Sequence, residues 1–404
     1  MRKSLEQAPW QGNTLDASVE LMASEILHVG VDTHRKDYKV HLWSEARLNG
    51  VAAWVQPAQP AILIQRLRPL GDHIGRVVYE AGPTGYDLVR QLRQAGFRAE
   101  VIAPSRTPRS TSPRAKCDRL DARKLAMYSA KGLLQPVAVP SLEEEADRQV
   151  ARMREGMMKK MRRTKQQIKS LLLQHSLARP QHCGGDWSRP WLAALRTMSL
   201  SPQLRLSMDL LLDELDHLQQ SVLQVGRAVR ELAHQERHRA AVTAMQTTPG
   251  VGPITALTFR TELIAPQRFD DQREVTAMLG LAPMVYSSGQ STHQGPLMKS
   301  GNTRLRTALI EAAWRWVAKD PWAAQKFARL QAQTASRKKA IVAMARRLGI
   351  ILWRISLTGQ AYQPKPLATA EQKQRQLGLP DRRRPTKRAP AQHGERPLSV
   401  QTSG

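Results

Sequence analysis

Four carboxylates in the first third of the chain are the residues best suited to do chemistry. Asp32 and Glu80 each end a short apolar run, and Asp118 and Asp121 follow close together in the sequence. Carboxylate oxygens are the ligands that Mg2+ prefers, and phosphoryl chemistry commonly uses two such ions. Because 62 basic residues stand against 34 acidic ones, composition alone does not explain the grouping. The four acids predict a site for Mg2+, with two ions.

Short strand and helix patterns around these acids predict a mixed sheet covered by helices. In a ribonuclease H-like (RuvC-like) α/β sheet, the first strand carries one acid, a later neighbouring strand carries a second, and a helix supplies the rest. Two other acids nearby, Asp37 and Asp72, are interpreted as loop charges. Strands are predicted over 26–32, 38–43, 51–55, 76–80 and 98–103, and helices over 61–70, 85–95 and 118–130.

Each acid also has a reading that needs no metal. Asp118 and Asp121 are spaced i, i+3, which places both on one side of a helix, where two like charges repel unless a cation lies between them. They could instead be an N-cap and a first-turn acid. Asp32 could be a turn residue and Glu80 a loop acid. The order and strand context of all four favour the metal site.

The charge of the chain predicts a polyanionic partner. Its net charge is +28 and its pI is near 10.9, which favours nucleic acid over the alternative of an acidic membrane surface. No apolar stretch reaches the length of a membrane span, and the N-terminus lacks the apolar core of a signal peptide. Cys117 and Cys183 are too few for a disulfide framework and fit reduced thiols in a cytoplasmic, nucleoid-associated protein. With aromatics at 5%, base stacking is not expected to be the main mode of contact.

Composition divides the chain into five predicted regions. The middle one has helical spacing, and its segment 151–170 carries eight Lys and Arg against one Glu. Its leucine pattern predicts a long coiled-coil arm and self-association. The regions are a flexible extension (1–24), a catalytic α/β domain (25–140), a coiled-coil linker (141–240), an all-α C-terminal domain (241–358) and a basic disordered tail (359–404).

A glycine-containing turn lies between two helical patterns of the C-terminal domain. Residues 247–253 read Thr-Thr-Pro-Gly-Val-Gly-Pro, which resembles a helix-hairpin-helix motif. In such a motif, backbone N–H groups at Gly250 and Gly252 can hold a DNA phosphate. The alternative is a plain connection between helices.

A second polar segment of the same domain contains Ser287 and Ser288. They precede Gly289 and are predicted to lie in a loop that could bring a hydroxyl close to a phosphate; an isolated surface turn is the alternative. No Ser-His-Asp arrangement is legible. Candidate phosphate donors follow at Lys299, Asn302, Arg304 and Arg306.

Taken in order, these motifs resemble the DEDD transposases of the insertion sequence one-ten type, relatives of the Piv/MooV DNA invertases. The resemblance covers roughly residues 26–355. Where relatives often have Ile-Ser/Thr-Lys, this chain has Leu-Met-Lys at 297–299, so no catalytic serine is assigned there. The matching segments are Val29-Gly-Val-Asp32 with Lys36, Glu80–Gly85, Lys116–Arg123, Pro249–Pro253, Gly280–Pro283, Ser287–Gly289 and Lys299–Asn302.

The resemblance implies a RuvC-like domain joined by a coiled coil to a transposase domain, in a recombinase that moves its own element. A serine of the second domain attacks DNA and becomes linked to it; by position this is Ser287, with Ser288 as second choice. The carboxylates would bind Mg2+ in a composite site, and Lys36 would contact nucleic acid. The implied partners are double-stranded DNA (element ends and target), a guide non-coding RNA, and further copies that form dimers and then tetramers.

Two other functions stay open from the sequence. One is a RuvC-like, structure-specific nuclease that uses the four acids and water. The other is a nucleic-acid-binding protein in which the acids are structural.

Overall fold

The computed structural model describes residues 22, 24–104, 118–181, 183–288, 291–298, 300–364 and 366, with backbone only at 118–120, 285–288 and 291–294. Contacts divide the chain into two compact units. The first contains the residues up to Leu232 together with Arg260–Asp270, and the second contains Ala233–Phe259 and the residues from Asp271 onward. Most of the predicted extension and of the basic tail lies outside the described residues.

The first unit is built on a five-stranded mixed sheet, as predicted. The strand order is β3-β2-β1-β4-β5, with antiparallel pairing among the first three strands and parallel pairing of β1 with β4 and of β4 with β5. This sheet with its helices is compatible with a ribonuclease H-like fold. The strands are β1 (Leu27–Thr33), β2 (Asp37–Ser44), β3 (Asn49–Pro57), β4 (Ile74–Glu80) and β5 (Ala99–Ile102).

Alternation along the strands gives the sheet two buried faces. On one face, Val29, Val31 and Val40 pack against α1 (Pro60–Leu67) and α2 (Asp87–Gln94). On the other face, a smaller cluster of Val78, Ile102, Leu125 and Leu134 lies beneath α3 (Asp118–Ala130). The second face is the one that carries the predicted acids.

Two 33-residue helices follow in the first unit, α4 (Leu142–Gln174) and α6 (Pro202–His234). Ser141 and Glu144 form a capping box that starts α4. The short helix α5 (Arg189–Thr197) contributes Trp191 to a core shared by all three helices. The predicted coiled-coil arm is not confirmed, because this core is a small helical cluster rather than a two-helix seam.

The second unit is mainly helical, but it also contains a β-hairpin that was not predicted. No helix in the described part of the chain is long and apolar enough to cross a membrane. The elements are α7 (Glu236–Gln246), α8 (Pro253–Leu263, whose last four residues belong to the first unit), α9 (Gln272–Met278), β6 (Pro283–Ser288), β7 (Ser291–Leu297), α10 (Thr303–Lys319), α11 (Pro321–Thr334) and α12 (Arg337–Thr358).

Candidate active site

Asp32 and Glu80 occupy matching positions on neighbouring parallel strands. The register of β1 and β4 pairs Gly30 with Val78 and Val31 with Tyr79, so the next residues along the two strands are Asp32 and Glu80. Residues in parallel register point to the same face of a sheet, and the carboxyl ends of parallel strands meet at one edge. The two carboxylates therefore share one face at one edge of the sheet.

Helix α3 lies on that face and runs opposite to β1. Near its end, Ser129 contacts the ring of His28, with 3.0 Å between Oγ and Nδ1. Further along β1, a methyl group on Gly30 would overlap the carbonyl oxygen of Ala122 and lie 2.6 Å from the backbone nitrogen of Ala126. The helix α3 is therefore antiparallel to β1, and its N-terminal residues lie toward the end of β1 that carries Asp32.

This direction brings the first turn of α3 to the edge that carries Asp32 and Glu80. Asp118 lies one helical turn, about 6 Å, before Ala122, and Asp32 lies two strand positions, about 6.7 Å, beyond Gly30. Asp121 is half-exposed, with one carboxylate oxygen 3.9 Å from the ammonium nitrogen of Lys124. The backbone thus directs the first turn of α3, which contains Asp118 and Asp121, toward the edge that carries Asp32 and Glu80; the side chain of Asp118 lies outside the described atoms.

Three residues beside Asp32 had no role in the sequence prediction. The ring of His34 hydrogen-bonds to Asp32, with 3.0 Å between Nε2 and Oδ2. Lys39 is the cross-strand partner of Asp32 on β2. Asp37, interpreted as a loop charge, is instead the first residue of β2, and its Oδ1 is buried without a hydrogen-bond partner among the described residues. Alternation along β2 places Asp37, Lys39 and Asp32 on one face, a signal that the strand pattern already contained.

The segment after Glu80 is held against the end of β1. The hydroxyls of Thr33 and Thr84 lie 3.3 Å apart, and the Tyr79 hydroxyl donates to the carbonyl of Gly85 at 3.3 Å. Burial raises the pKa of Tyr79, so its hydroxyl stays protonated and can donate at any ordinary pH. Gly85 has a φ of +72°, which favours glycine at the end of this turn.

The donor set of this edge suits a hard divalent cation. Carboxylate oxygens are the ligands of Mg2+, which keeps several of its waters and binds through few protein groups. Among the side chains that the structure describes, no group of three or more His, Cys, Asp or Glu residues is already arranged to hold a metal ion. Asp32, Glu80 and Asp121, with Asp118, are the residues that could hold Mg2+ here.

In the second unit, the two predicted serines lie in a strand and not in a loop. Ser287 and Ser288 end β6, where they pair with Thr292 and Ser291 of β7. The backbone amide of Met298 donates to the carbonyl of Ala282 at 2.9 Å and closes the base of the hairpin. The sequence pattern failed here because Ser, Gly and Gln dilute the strand signal over a short segment.

Two glycines join the base of this hairpin to α10. A methyl group on Gly301 (φ +102°) would lie 2.6 Å from both the carbonyl oxygen of Ala277 and the Cα of Gly280. A methyl group on Gly280 (φ +65°) would lie 2.8 Å from the guanidinium of Arg306, whose Nε is buried. Arg306, a predicted phosphate donor, is therefore at least partly engaged in packing against the hairpin base.

Asn302, a second predicted phosphate donor, caps a helix. Its side-chain oxygen accepts from the backbone amides of Arg304 and Leu305 at 3.0 and 3.2 Å, and its own backbone amide donates to the carbonyl of Met278. This is an N-cap of α10. Arg304 and, in the first unit, Lys36 are exposed, which fits contact with nucleic acid, whereas Lys299 lies outside the described residues.

The two glycines of the predicted phosphate-binding turn differ in surroundings. Gly250 (φ +88°) packs against α10, because a methyl group there would lie 2.6 Å from the backbone nitrogen of Trp316. At Gly252 the same methyl group would meet nothing within 4 Å. Of the two, Gly252 is the position where a phosphate could approach the backbone.

Comparisons with known proteins agree with the resemblance in the sequence. A transposase model, that of the DEDD transposases of IS110 type, matches residues 29–177, and the model of the IS116/IS110/IS902 transposase family matches residues 242–328. The Sinorhizobium fredii protein y4qE, named as a transposase, is 30% identical over 360 residues, covering 81% of this chain and 88% of its own length. The transposase for insertion sequence element IS1111A of Coxiella burnetii is 23% identical over 72% of this chain and 80% of its own length.

These matches identify the chain as a transposase, a class of DNA-cutting enzyme. The chain belongs to the IS116/IS110/IS902 family of insertion-sequence transposases.

Proposed function

We propose that this transposase is a Mg2+-dependent recombinase that cuts and rejoins DNA through a covalent serine–DNA intermediate. The observation that carries the metal half of the proposal is the shared edge of Asp32, Glu80 and the first turn of α3. Bound there, Mg2+ would act as a Lewis acid that stabilises charge on the attacking and leaving oxygens. The ribonuclease H-like (RuvC-like) assignment of this domain belongs to the same proposal.

The nucleophile in this proposal is Ser287, with Ser288 as second choice. An Oγ–P bond forms as one P–O bond of the DNA backbone breaks, and the proton of the serine hydroxyl passes to the displaced DNA oxygen. A displaced DNA hydroxyl of the strand to be joined later attacks the serine–DNA phosphodiester, the Oγ–P bond breaks, and the serine regains a proton. Both serines lie at the end of β6, on a hairpin whose base is fixed by the packing at Gly301. A fixed base supports the proposal because a nucleophile must be held in position and orientation relative to the atom that it attacks.

His34 and Lys39 have supporting roles in the proposed reaction. His34 hydrogen-bonds one oxygen of Asp32 and so orients the carboxylate. Lys39, opposite Asp32 in the register, supplies a cation where a DNA phosphate would arrive. We also propose that a guide non-coding RNA selects the element ends and target, and that dimers assemble into tetramers, because recombining two duplexes requires more than one active site.

Capture of the covalent intermediate tests this function. Purified protein is incubated with Mg2+, labelled element-junction DNA and RNA transcribed from the flank of the element, and resolved on a denaturing gel. Wild type is expected to give a protein–DNA adduct, and so is Ser288→Ala, whereas Ser287→Ala and Asp32→Asn give none. An adduct that is lost only in Ser288→Ala reassigns the nucleophile to that residue.

The same gel separates the second candidate function, a RuvC-like nuclease that acts by hydrolysis. The observation that favours it is that Asp32 and Glu80 share one edge of the sheet, toward which the first turn of α3 is directed, without any need for the serines. Cleaved DNA free of protein, made equally by wild type and Ser287→Ala but not by Asp32→Asn, would establish hydrolysis and refute the serine mechanism.

A further inference from the structure

One aromatic side chain of the helical part of the first unit lies beside two lysines. Trp187 is in the connection between α4 and α5. The ammonium nitrogens of Lys165 and Lys169 lie 4.9 and 5.5 Å from its ring centroid, within the range of cation–π contact. The two lysines are spaced i, i+4 on α4 and so share one side of that helix.

The backbone holds Trp187 in a conformation that a bulky residue seldom adopts. Its φ is +74°, in the left-handed region that favours glycine. The next residue fixes this turn: the Ser188 side chain donates to the carbonyl of Cys183 at 3.0 Å and accepts from the amide of Trp191 as the N-cap of α5. A strained position that its surroundings maintain points to a function for that side chain.

Core packing alone does not account for Trp187. The adjacent core already contains Trp191, which is only 1% exposed and meets Trp187 edge-on with 4.8 Å between centroids. Trp187 itself is only partly buried at the margin of this core. Its indole therefore belongs to the surface as well as to the core.

Cations continue from this tryptophan along α4. Lys159, Arg162, Lys165 and Lys169 are separated by three, three and four residues, so they follow one side of the helix over about 15 Å. Lys169 is paired with Asp186 at 2.8 Å and Lys159 with Glu155 at 2.6 Å. Burial, and then the neighbouring charge of Lys169, lowers the pKa of Lys165, and this cost to the charged form would be relieved by an anion.

We propose that Trp187 and this strip of cations form a binding site for single-stranded nucleic acid, in which a base stacks on the indole and the phosphates follow α4. Single-strand sites elsewhere combine an aromatic platform with a basic track of this kind. The site deepens the proposed function, on which it rests for the presence of a nucleic acid partner. It needs neither Mg2+ nor the serines, so it is tested without either.

The test is fluorescence anisotropy of labelled oligouridylate, oligothymidylate and a short duplex, titrated with the full-length protein in EDTA. Trp187→Leu removes the ring system but keeps apolar packing, and it is expected to bind the single strands about tenfold more weakly, equivalent to about 1.4 kcal/mol, with a smaller effect on the duplex. Trp187→Phe, which retains an aromatic face, is expected to retain most of the affinity. Tighter binding of oligouridylate identifies RNA as the ligand, and tighter binding of oligothymidylate identifies a DNA strand.

A charge-matched control separates the site from general attraction. Lys165→Gln is expected to weaken single-strand binding more than Arg227→Gln, which removes an exposed cation from α6. Equal losses in these two variants overturn the proposal, as does wild-type affinity in Trp187→Leu or an equal loss on duplex. Circular dichroism checks the fold, and if Trp187→Leu is unfolded, the comparison of Lys165→Gln with Arg227→Gln decides. If the Trp187 and Lys165 variants bind single strands more weakly but no protein–DNA adduct forms on the gel, the binding site is supported and the serine mechanism is not.

Discussion

Substituting Gly30 by alanine tests whether the packing of α3 on β1 is what assembles the metal site. The added methyl group would overlap the carbonyl oxygen of Ala122 and approach the nitrogen of Ala126 to 2.6 Å. Both are backbone atoms inside a helix, which cannot rotate aside as a side chain can. Since ordinary van der Waals contacts need about 3.4–4 Å, α3 must retreat by at least about 1 Å.

That retreat has two measurable consequences. Overpacking of this kind costs about 1–3 kcal/mol of unfolding free energy, which urea unfolding followed by circular dichroism detects. It also moves Asp118 and Asp121 away from Asp32 and Glu80, so we expect Mg2+ affinity to fall by about 10–100-fold in isothermal titration. Any Mg2+-dependent cleavage should fall by about 100-fold, the usual effect of a 1 Å misplacement.

Gly75→Ala is the matched control, because Gly75 lies at the opposite end of the same sheet, on β4. There the added methyl group would clash only with the Cγ2 methyl of Ile26, at 2.6 Å, which belongs to an exposed side chain, whereas the ring of His28 and the carbonyl of Leu27 would lie at ordinary contact distances. We expect near-wild-type Mg2+ affinity in this control. If Gly30→Ala also kept wild-type stability and Mg2+ affinity, α3 would not position the acids and the proposed site would be wrong.

Substitutions in three further contacts test the scaffold. Glu262 is buried and receives two hydrogen bonds from Arg152, whose side chain is 32% exposed. Glu262→Leu should therefore lower the free energy of unfolding in urea by up to about 3 kcal/mol. The double variant Glu262→Leu/Arg152→Met should recover most of that loss. Asn302→Ala should cost about 1 kcal/mol in the same assay while Asn302→Asp costs little, because the cap needs only an oxygen acceptor. A hydrogen bond from Ser44 holds the pKa of Glu25 below its ordinary value of 4.5. Wild type should therefore be more stable than Glu25→Gln at neutral pH and should lose that advantage as the pH falls below 4.5. Urea unfolding of both proteins across this pH range measures the difference.

The sequence predicted the sheet well because its strands follow from local patterns. Alternating apolar residues defined the five strands, and acids at strand ends follow the rule that functional groups lie at the carboxyl edge of parallel strands. The same pattern was misread at Asp37, where a polar residue starts a strand. The β6–β7 hairpin was missed because Ser, Gly and Gln give it a weak strand signal, and the close backbone packing at Gly280 and Gly301 that fixes its base cannot be read from local propensity.

The glycines and polar residues of the C-terminal motifs therefore separate into scaffold and candidate chemistry by what surrounds them. Gly250, Gly301 and Asn302 are each committed to a close backbone approach or a helix cap, and a substitution there would act first on stability. Gly252 has open space around it, and Ser287 ends a strand whose base those residues fix. In each motif of this domain, most residues therefore stabilise the fold and a few have open space around them. Contact with DNA should be sought at those few positions.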